Sequence, residues 1–458
     1  MTFRFGMLIF IVALILRVVN ICIVSNEVEA FQQGDTGMYL QMTKILQDAD
    51  SLKSISSDDA SFLTERAPGY LSYLLTIKSV FGENPLFIVF GQAVIDAFVC
   101  VLVGVLGGSI NQRLILPASL LATVNLNMII HSAFILSDSL FLLPFTGGLI
   151  ASSFYIRSPS FSNALVAGVL FSIALLIRPV LLYFPPVLIL FFAAIAWQQR
   201  FRFTKVFSHI SIVALAFVLI NGPIFLRNYN EFGYAAYVSQ TGTHALNWVY
   251  PQVNEFANGV PREQSVDEMR ERQLDYRSQQ DPNIDLSNPF AANEEMKKVA
   301  FSALSDLGSI ALLKGWAMGA MINLSAPSII ASPIIRNMER PSFTNTLGNN
   351  PVHKIWNYLT VNKVFTMSIL PVMALTLLSR FFAFIGLFEC YHNRRVREQL
   401  VPTEQGLFLI LVGAYVLAVT GPVVGVKYRL LLEPGLDILL AIGLVWTYDI
   451  LRKKLKSQ

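Results

Sequence analysis

Charged residues are scarce in this chain. Only 14% of its 458 residues are Asp, Glu, Lys or Arg, while 54% are hydrophobic. About 25% charged residues is usual in soluble domains. Several apolar runs, including 7–24 and 86–106, reach the roughly 18–20 residues that cross the hydrocarbon core of a membrane. The composition therefore excludes an ordinary soluble protein and indicates a polytopic membrane protein.

The low net charge, the few cysteines and the absence of certain motifs exclude several classes of function. The net charge of +4 is small, so nucleic acid is not indicated as a partner. Cys22, Cys100 and Cys390 lie in or beside apolar segments without the spacing of metal ligands, and we predict that they are core residues. The chain has no glycine-rich phosphate-binding loop and no internal repeat with a period of about 20–50 residues.

The apolar segments predict an all-α fold with about 10–12 transmembrane helices and an outward-facing first loop that carries interfacial helices. The first segment is not predicted to be a signal peptide, because Arg17 interrupts its apolar core and no small-x-small cleavage pattern follows it. The spans are assigned near residues 7–24, 86–107, 114–131, 139–156, 163–177, 180–197, 206–226, 364–389, 405–422 and 429–450.

Basic residues predict the orientation of these spans. Cytoplasmic loops of membrane proteins carry an excess of Lys and Arg. The basic positions that fall on one side of the predicted bundle are Arg113, Arg157, Arg200, Arg202, Lys205, Arg394, Arg395, Arg397 and the tail 452–456. Both termini are therefore expected in the cytoplasm, and the segments 28–85 and 227–362 are expected to face outward.

The chain is predicted to have three parts. They are an N-terminal transmembrane catalytic module at 1–226 with its first outward loop at 25–85, an outward region at 227–362, and C-terminal transmembrane helices at 363–458. Segment 307–331 is apolar enough to enter the bilayer, yet a single crossing there would place Arg394 and Arg395 outside. We therefore expect a re-entrant or interfacial segment, or two crossings, with Lys314 and Pro327 interrupting the helix.

Acidic residues at outward helix ends are candidate catalytic groups. Asp35 precedes a helical apolar pattern, so it can be an N-cap, or its carboxylate can serve as general base for a hydroxyl or amine nucleophile. Glu65 and Arg66 are either a solvated ion pair or a carboxylate beside a guanidinium that suits a phosphate. Asp138 is also an N-cap candidate on the same side. Together these acids could position an acceptor or hold a divalent cation.

Basic residues also lie at outward helix ends. They are Arg178, Arg227, Lys427 and Arg429. Isolated basic side chains commonly snorkel to the membrane interface, but several on the outward side run against the usual charge bias and indicate an anion held at the outer leaflet. Arg17 and Asp96 fall inside predicted spans, where an ionisable residue needs an interior partner, and we expect structural pairing for both.

The order of these motifs resembles the GT-C superfamily of membrane glycosyltransferases, specifically the family 39 group that includes protein O-mannosyltransferases and the lipid A aminoarabinose transferase. The likeness runs along nearly the whole chain. It is carried by Asp35 with Tyr39, by Glu65-Arg66-Ala67-Pro68-Gly69-Tyr70, and by the segments 70–82, 137–141, 176–179, 221–233 and 427–434. Where several relatives carry a second acid and an Arg after the first Asp, this chain has Thr36 and Met38.

The resemblance implies a GT-C-like bundle and an inverting transfer of a sugar from a polyprenyl-phosphate carrier to an acceptor on the outer face. It implies that Asp35 activates or orients the acceptor, that Glu65 and Asp138 are further acids of the site, and that Arg66 contacts the lipid phosphate. The complete set of candidate site residues is Asp35, Glu65 and Asp138 for catalysis, Arg66, Arg178, Arg227, Lys427 and Arg429 for the donor phosphate, and Tyr39, Tyr70 and Tyr428 for the acceptor or the shape of the site.

Several alternatives stay open at this point. A glycan, a lipid or a protein can be the acceptor, membrane lipids surround the chain, and a divalent metal ion, if one binds, would use Asp35 and Asp138. A transporter or flippase of a lipid-linked saccharide would also carry intramembrane charges, although inverted repeats are not evident. A non-catalytic scaffold fits the outward acids and bases less well. The compact size favours a bacterial inner membrane with a periplasmic site.

Overall fold

The computed structural model of the chain describes residues 1–27, 29–51, 54–280, 282–338, 351–361, 363–392 and 400–457. All regular secondary structure within these ranges is helical, and they contain no strand. The prediction of an all-α polytopic membrane protein is confirmed. Arg394, Arg395 and Arg397 of the predicted inward cluster lie outside the described residues.

The helices of the N-terminal half begin and end close to the polar and proline-containing breaks of the sequence. They are α1 (Phe3–Val24), α2 (Thr36–Asp48), α3 (Ser57–Leu63), α4 (Pro68–Phe81), α5 (Pro85–Ile110), α6 (Ile115–Val124), α7 (Leu126–His131), α8 (Asp138–Arg157), α9 (Phe161–Ile177), α10 (Phe184–Gln198) and α11 (Phe203–Phe232). Proline occupies the first turn of α4 and α5, where its missing N–H leaves no intrahelical bond unmade.

The C-terminal half is also helical wherever it is described. Its helices are α12 (Thr241–His244), α13 (Tyr250–Asn258), α14 (Arg262–Gln280), α15 (Pro289–Leu307), α16 (Ser309–Ser325), α17 (Pro333–Arg336), α18 (Pro351–Val361), α19 (Lys363–His392), α20 (Thr403–Thr420), α21 (Val426–Leu430) and α22 (Glu433–Ser457). Helices α12 to α15 enclose a small apolar core of their own around Tyr250, Val253 and Met269. The region predicted to face outward therefore has more internal packing than its polar sequence suggests.

Within the described residues, seven helices are long and apolar enough to cross a membrane, namely α1, α5, α8, α11, α19, α20 and α22. They coincide with spans predicted from the sequence. The remaining predicted spans are shorter apolar helices: 163–177 and 180–197 are α9 and α10, and 114–131 is divided into α6 and α7 at Asn125. The predicted number of about 10–12 spans is reached only if these short helices also cross.

The segment predicted to hold an interrupted helix has its break at Gly308 and not at Lys314, since α16 runs through Lys314 and ends at Ser325, before Pro327. Helices α15 and α16 meet at Gly308 with an angle of 103°, and Gly308 has a φ of 81°, which glycine adopts readily. A straight single crossing by both helices is excluded. Helix α16 packs closely on the connection after α20, because a Cβ on Gly319 would lie 2.6 Å from the Cα of Pro422.

Arg17 and Asp96 pair with each other across α1 and α5, as expected. The Arg17 Nε is 2.6 Å from the Asp96 Oδ2, and both side chains have no exposed surface. Arg17 also donates to the carbonyl of Ala122 at 3.3 Å and to that of Thr123 at 3.0 Å. The guanidinium therefore satisfies the carboxyl end of α6, where the chain breaks before α7.

The helix ends gather at two opposite ends of the bundle. At one end, Arg113 forms an ion pair with Asp449 at 2.6 Å, and the Asn111 side chain donates to the carbonyl of Leu400 at 3.1 Å. Gln405 at the start of α20 donates to the Oγ of Ser153 near the end of α8. Arg113, one of the positions predicted to be cytoplasmic, therefore lies with the α5–α6 connection, the start of α20 and the end of α8, whereas the candidate Asp138 lies at the opposite end of α8.

Candidate active site

Asp35 lies at the centre of a cluster of charged side chains. It is the N-cap residue of α2, but its side chain makes no capping hydrogen bond. Its Oδ1 is instead 3.0 Å from an Arg66 guanidinium nitrogen, and its Oδ2 is 3.6 Å from the Lys427 Nζ. Gly34 precedes it with a φ of 53°. The carboxylate therefore joins the first loop to the starts of α4 and α21, in place of a local cap.

The surrounding cations control the acidity of this carboxyl. Burial acts to raise the pKa of Asp35, but Lys427, Arg66 and Arg178 together outweigh that effect, and the pKa lies below its ordinary value near 3.8. Asp35 is consequently ionised at neutral pH. A carboxylate with a lowered pKa is a good hydrogen-bond acceptor and a weak base.

Arg178 and Asp138 form an ion pair behind Asp35. Asp138 is the first residue of α8, with Ser137 as the N-cap, and Arg178 follows the last residue of α9. The side chains of Arg178 and Asp138 are 18% and 4% exposed. The pair therefore connects the start of α8 to the end of α9, and Asp138 partly compensates the positive charge of Arg178.

Gly69 allows the charged residues of α4 and α9 to approach each other. A Cβ at this position would lie 2.7 Å from the carbonyl oxygen of Leu176 and 2.9 Å from a side-chain carbon of Ile177. Any larger residue would separate the two helix ends. The close approach places Arg66, three residues before Gly69, beside Arg178, one residue after Ile177.

The predicted tyrosines differ in their positions. Tyr39 is buried, its hydroxyl is 3.2 Å from the Ser137 Oγ, and the Arg66 guanidinium lies 5.8 Å from its ring centroid. Tyr70 packs edge-on against Tyr39, with ring centroids 4.8 Å apart, and its hydroxyl donates to a buried glutamine of α5. Tyr70 thus shapes the site through its ring, because its hydroxyl is already hydrogen-bonded inside the core.

The third tyrosine lies on α21 beside the lysine of the cluster. The Lys427 Nζ is 5.3 Å from the ring centroid of Tyr428. A cation over an aromatic face is attracted by the ring quadrupole. Tyr428 therefore helps to hold Lys427 at the edge of the site.

His244 belongs to the site and was missed in the sequence. It lies at the end of α12, and burial, followed by Lys427 and Arg66, lowers its pKa to about 4. The imidazole is therefore neutral at neutral pH, when it can donate one hydrogen bond and accept another. No motif surrounds it in the sequence, and its only signal was the small number of histidines in the chain, which is five.

Glu65 and Arg66 do not form the ion pair that was one of the two interpretations of these residues. The Glu65 carboxylate accepts a hydrogen bond from Gln240 at 3.3 Å, whereas Arg66 contacts Glu65 only through the backbone carbonyl at 3.2 Å. The guanidinium instead turns to Asp35. Adjacent side chains before a helix point in different directions, and this separates the two charges.

Arg429 lies outside the cluster around Asp35, contrary to its assignment to the donor phosphate. Its side chain is 1% exposed, and its Nε is 2.7 Å from the Glu433 Oε1. It also donates to the carbonyl of Ala326 at 2.6 Å and to that of Asn323 at 3.2 Å. Arg429 therefore stabilises the carboxyl end of α16 inside the bundle.

Arg227 lies beside the cluster, on a cavity that it shares with Arg66. The cavity has a volume of about 830 Å³, and Leu71, Leu75 and Ile224 supply apolar walls. The Arg227 guanidinium donates to the side-chain oxygen of Asn228. Arg66 thus borders Asp35 on one side and the cavity on the other.

The charged groups do not form an evident metal centre within the described part of the chain. No group of three or more His, Cys, Asp or Glu there is arranged to hold a metal ion. Asp35 and Asp138, the ligands considered from the sequence, each face a cationic side chain instead.

The comparisons with known proteins add no relative to this picture. No protein-family model matches the chain, and no curated protein matches it.

Proposed function

We propose that this integral membrane protein is a glycosyltransferase, which moves a sugar from a polyprenyl-phosphate carrier to an acceptor at the outward face with inversion at the anomeric carbon. The observation that carries the proposal is the position of Asp35 between Arg66 and Lys427. A glycosyl phosphate needs cations to stabilise its leaving group, and its acceptor needs a carboxylate to take up a proton. This cluster supplies both.

The cavity beside Arg66 is suited to the donor. Its volume of about 830 Å³ falls within the roughly 300–1,000 Å³ that is usual for small-molecule sites. Arg66 and Arg227 can bind the phosphate through paired N–H groups. The apolar walls formed by Leu71, Leu75 and Ile224 can contact the first prenyl units of the carrier.

Donor binding would also activate Asp35. In the free protein, Arg66 and Lys427 hold the pKa of Asp35 low, which makes the carboxylate a weak base. A phosphate bound by Arg66 and Arg227 draws Arg66 away from Asp35, so the pKa of Asp35 rises. The acceptor oxygen or nitrogen then attacks the anomeric carbon as the bond to the phosphate oxygen breaks, and Asp35 takes the acceptor proton.

The groups behind Asp35 would position it without taking part in bond formation. Asp138 partly compensates the charge of Arg178, so the ion pair orients the cluster and adds little net charge. His244 is neutral because its pKa is about 4. It can therefore hydrogen-bond a sugar hydroxyl without competing for the donor phosphate.

The proposed cellular setting is a bacterial inner membrane, with the termini in the cytoplasm and the site in the periplasm. In support, Arg113 and the start of the basic C-terminal tail lie at the end of the bundle opposite to Asp35. That distribution follows the positive-inside rule. Both the donor carrier and the acceptor would then reach the site from the outer leaflet or the periplasm.

A transfer assay tests the proposal. Purified protein is given short-chain polyprenyl-phosphate sugars, with wild type, Asp35→Asn and Asp267→Asn compared. The Asp267 side chain is 71% exposed, so its variant is a matched control for loss of an outward carboxylate. We expect consumption of the carrier by wild type and control, and a fall of about 10²–10⁴-fold with Asp35→Asn, which is typical for loss of a general base.

Other outcomes of this assay have definite meanings. Near-normal transfer by Asp35→Asn would remove this carboxylate from the mechanism while leaving the enzyme class intact. No consumption of any carrier by folded wild type would overturn the glycosyltransferase proposal. The competing transporter function would then be tested by movement of a lipid-linked saccharide across a vesicle membrane.

A further inference from the structure

A second polar cavity lies among the membrane-spanning helices, close to the Asp35 end of the bundle. It has a volume of about 300 Å³ and lies between the α6–α7 break, α19 and the start of α22. Its polar lining includes Asn127, Thr376, Arg380, Glu433 and Asp437. Glu433 lies in the segment 427–434 that carries the resemblance, but neither carboxylate was predicted to be a site residue, and the proposed glycosyl transfer does not use this cavity.

Glu433 is well supplied with hydrogen-bond donors. Its carboxylate accepts from the Arg429 Nε at 2.7 Å, from the Asn127 Nδ2 at 3.0 Å and from the Asn125 Nδ2 at 3.1 Å. Arg380 approaches it at 3.5 Å. The negative charge of Glu433 is therefore compensated within the protein, and Glu433 needs no ligand.

Asp437, one turn further along α22, lacks such support. It is 4% exposed, and within the described part of the chain the Asn125 Nδ2, at 3.2 Å, is its hydrogen-bond donor. Asn127 is 1% exposed, and its Oδ1 has no hydrogen-bond partner among the described residues. The Thr376 hydroxyl donates to a carbonyl of its own helix, which leaves its oxygen as an acceptor. The cavity thus offers acceptors that need donors.

The entrance of the cavity faces lipid. Val124 of α6 and Leu375 of α19 form part of its lining, and these side chains are 61% and 66% exposed on helices that carry other exposed apolar residues. A ligand that enters here comes from the bilayer. It must present N–H donors and a positive charge to Asp437 and Asn127, since a buried carboxylate is costly without a partner.

We propose that this cavity binds the headgroup of an aminophospholipid from the leaflet on the Asp35 side. The primary ammonium would donate to Asp437, to the Asn127 Oδ1 and to the Thr376 hydroxyl oxygen. Arg380, whose side chain is 19% exposed, would contact the phosphate. The charged lining residues Arg380, Arg429, Glu433 and Asp437 sum to zero when ionised, so a zwitterionic headgroup keeps the site neutral.

Thermal unfolding in defined lipid tests this site. The full-length protein in phosphatidylcholine nanodiscs is compared with nanodiscs that also contain phosphatidylethanolamine or phosphatidylglycerol. We expect the Tm to rise by several degrees as the fraction of phosphatidylethanolamine rises, because a ligand that binds only the folded state stabilises it. Phosphatidylcholine has no N–H donor and phosphatidylglycerol has no ammonium, so neither should produce this rise.

Variants separate a specific site from a general effect of the lipid. Asp437→Asn should abolish the rise. Leu375→Trp should reduce it by obstructing the entrance, whereas Leu378→Trp, at a lipid-facing position that is 52% exposed and outside the cavity, should retain it. If Asp437→Asn does not fold, the comparison of the two tryptophan variants still shows whether the rise in Tm depends on the cavity.

Three results would overturn the proposal. They are an equal rise with phosphatidylglycerol, a full rise in both Asp437→Asn and Leu375→Trp, and a rise in pure phosphatidylcholine when NaCl replaces choline chloride. The last result would assign the cavity to an inorganic cation.

Discussion

Replacing either member of the buried ion pair between α1 and α5 should give unequal losses of stability. Arg17 and Asp96 lie 2.6 Å apart with no exposed surface. Asp96→Leu leaves a guanidinium that cannot lose its proton in the interior, and removal of one partner of a buried pair costs about 3–5 kcal/mol. Arg17→Met leaves a carboxyl, which can become neutral by binding a proton, so we expect a smaller loss.

The double variant separates charge from hydrogen bonding. Arg17→Met with Asp96→Leu removes both charges, but it also removes the donors to the carbonyls of Ala122 and Thr123. An unsatisfied buried acceptor costs about 1–3 kcal/mol. The double variant should therefore be less stable than wild type and more stable than Asp96→Leu alone, giving a favourable coupling between the two residues in a double-mutant cycle.

Thermal unfolding of wild type and the variants in the same detergent measures the order of their stabilities. A change of 1 kcal/mol shifts Tm by about 2–4 °C in domains of 150–250 residues, and by less in a longer chain, so Asp96→Leu should lower Tm by several degrees. The expected order of Tm is wild type, Arg17→Met, and Asp96→Leu last, with the double variant above Asp96→Leu. A Tm for Arg17→Met below that of Asp96→Leu would refute the reasoning, because it would mean that the guanidinium tolerates isolation better than the carboxyl.

Two further predictions concern the candidate site. Lys427→Met should raise the pKa of Asp35 and move the acid limb of the kcat/KM profile to higher pH; because Asp35 is 40% exposed, solvent screening should limit the shift to about one unit or less. An unchanged acid limb would mean that Lys427 does not lower the pKa of Asp35. Gly69→Ala should lower Tm and transfer together, since its Cβ would lie 2.7 Å from the Leu176 carbonyl, whereas Gly37→Ala, with nothing within 4 Å, should do neither.

Much of the fold was predictable because it depends on local apolar patterns. The long apolar runs gave the spans that the structure contains, and the interruption between Arg178 and Pro179 marks the end of α9. The N-cap position of Asp35 also followed from the pattern after it. Each of these features depends on residues within about one helix of each other, which is the range that periodicity describes.

The partners of the charged residues were not predictable in the same way. Lys427 and Arg429 are two residues apart on α21, yet Lys427 meets Asp35 and Arg429 meets Glu433. On a helix, positions i and i+2 point to different sides, so the two cations belong to different clusters. His244 was missed for a related reason, since its closeness to Lys427 and Arg66 depends on tertiary contacts of α12 and not on a local pattern.

Three arginines inside the bundle share one structural role. Hydrocarbon offers no donors for the free carbonyls at a helix end, so an interrupted helix inside a membrane needs donors from the protein. Arg17 supplies them at the end of α6, and Arg380 and Arg429 supply them at the end of α16.

Each of these arginines also contacts a carboxylate, Asp96 or Glu433, which neutralises the charge. Arg17 and Arg429 are fully buried and have few donors left for a substrate, whereas Arg380, 19% exposed and bonded to α16 only through its Nε, keeps N–H groups for the proposed lipid phosphate. Arg66 differs from Arg17 and Arg429. It contacts a partly exposed Asp35, and it borders an open cavity. Under the proposed function, Arg66 and Arg227 on the cavity, with Lys427 beside Asp35, therefore remain the cations for a donor phosphate.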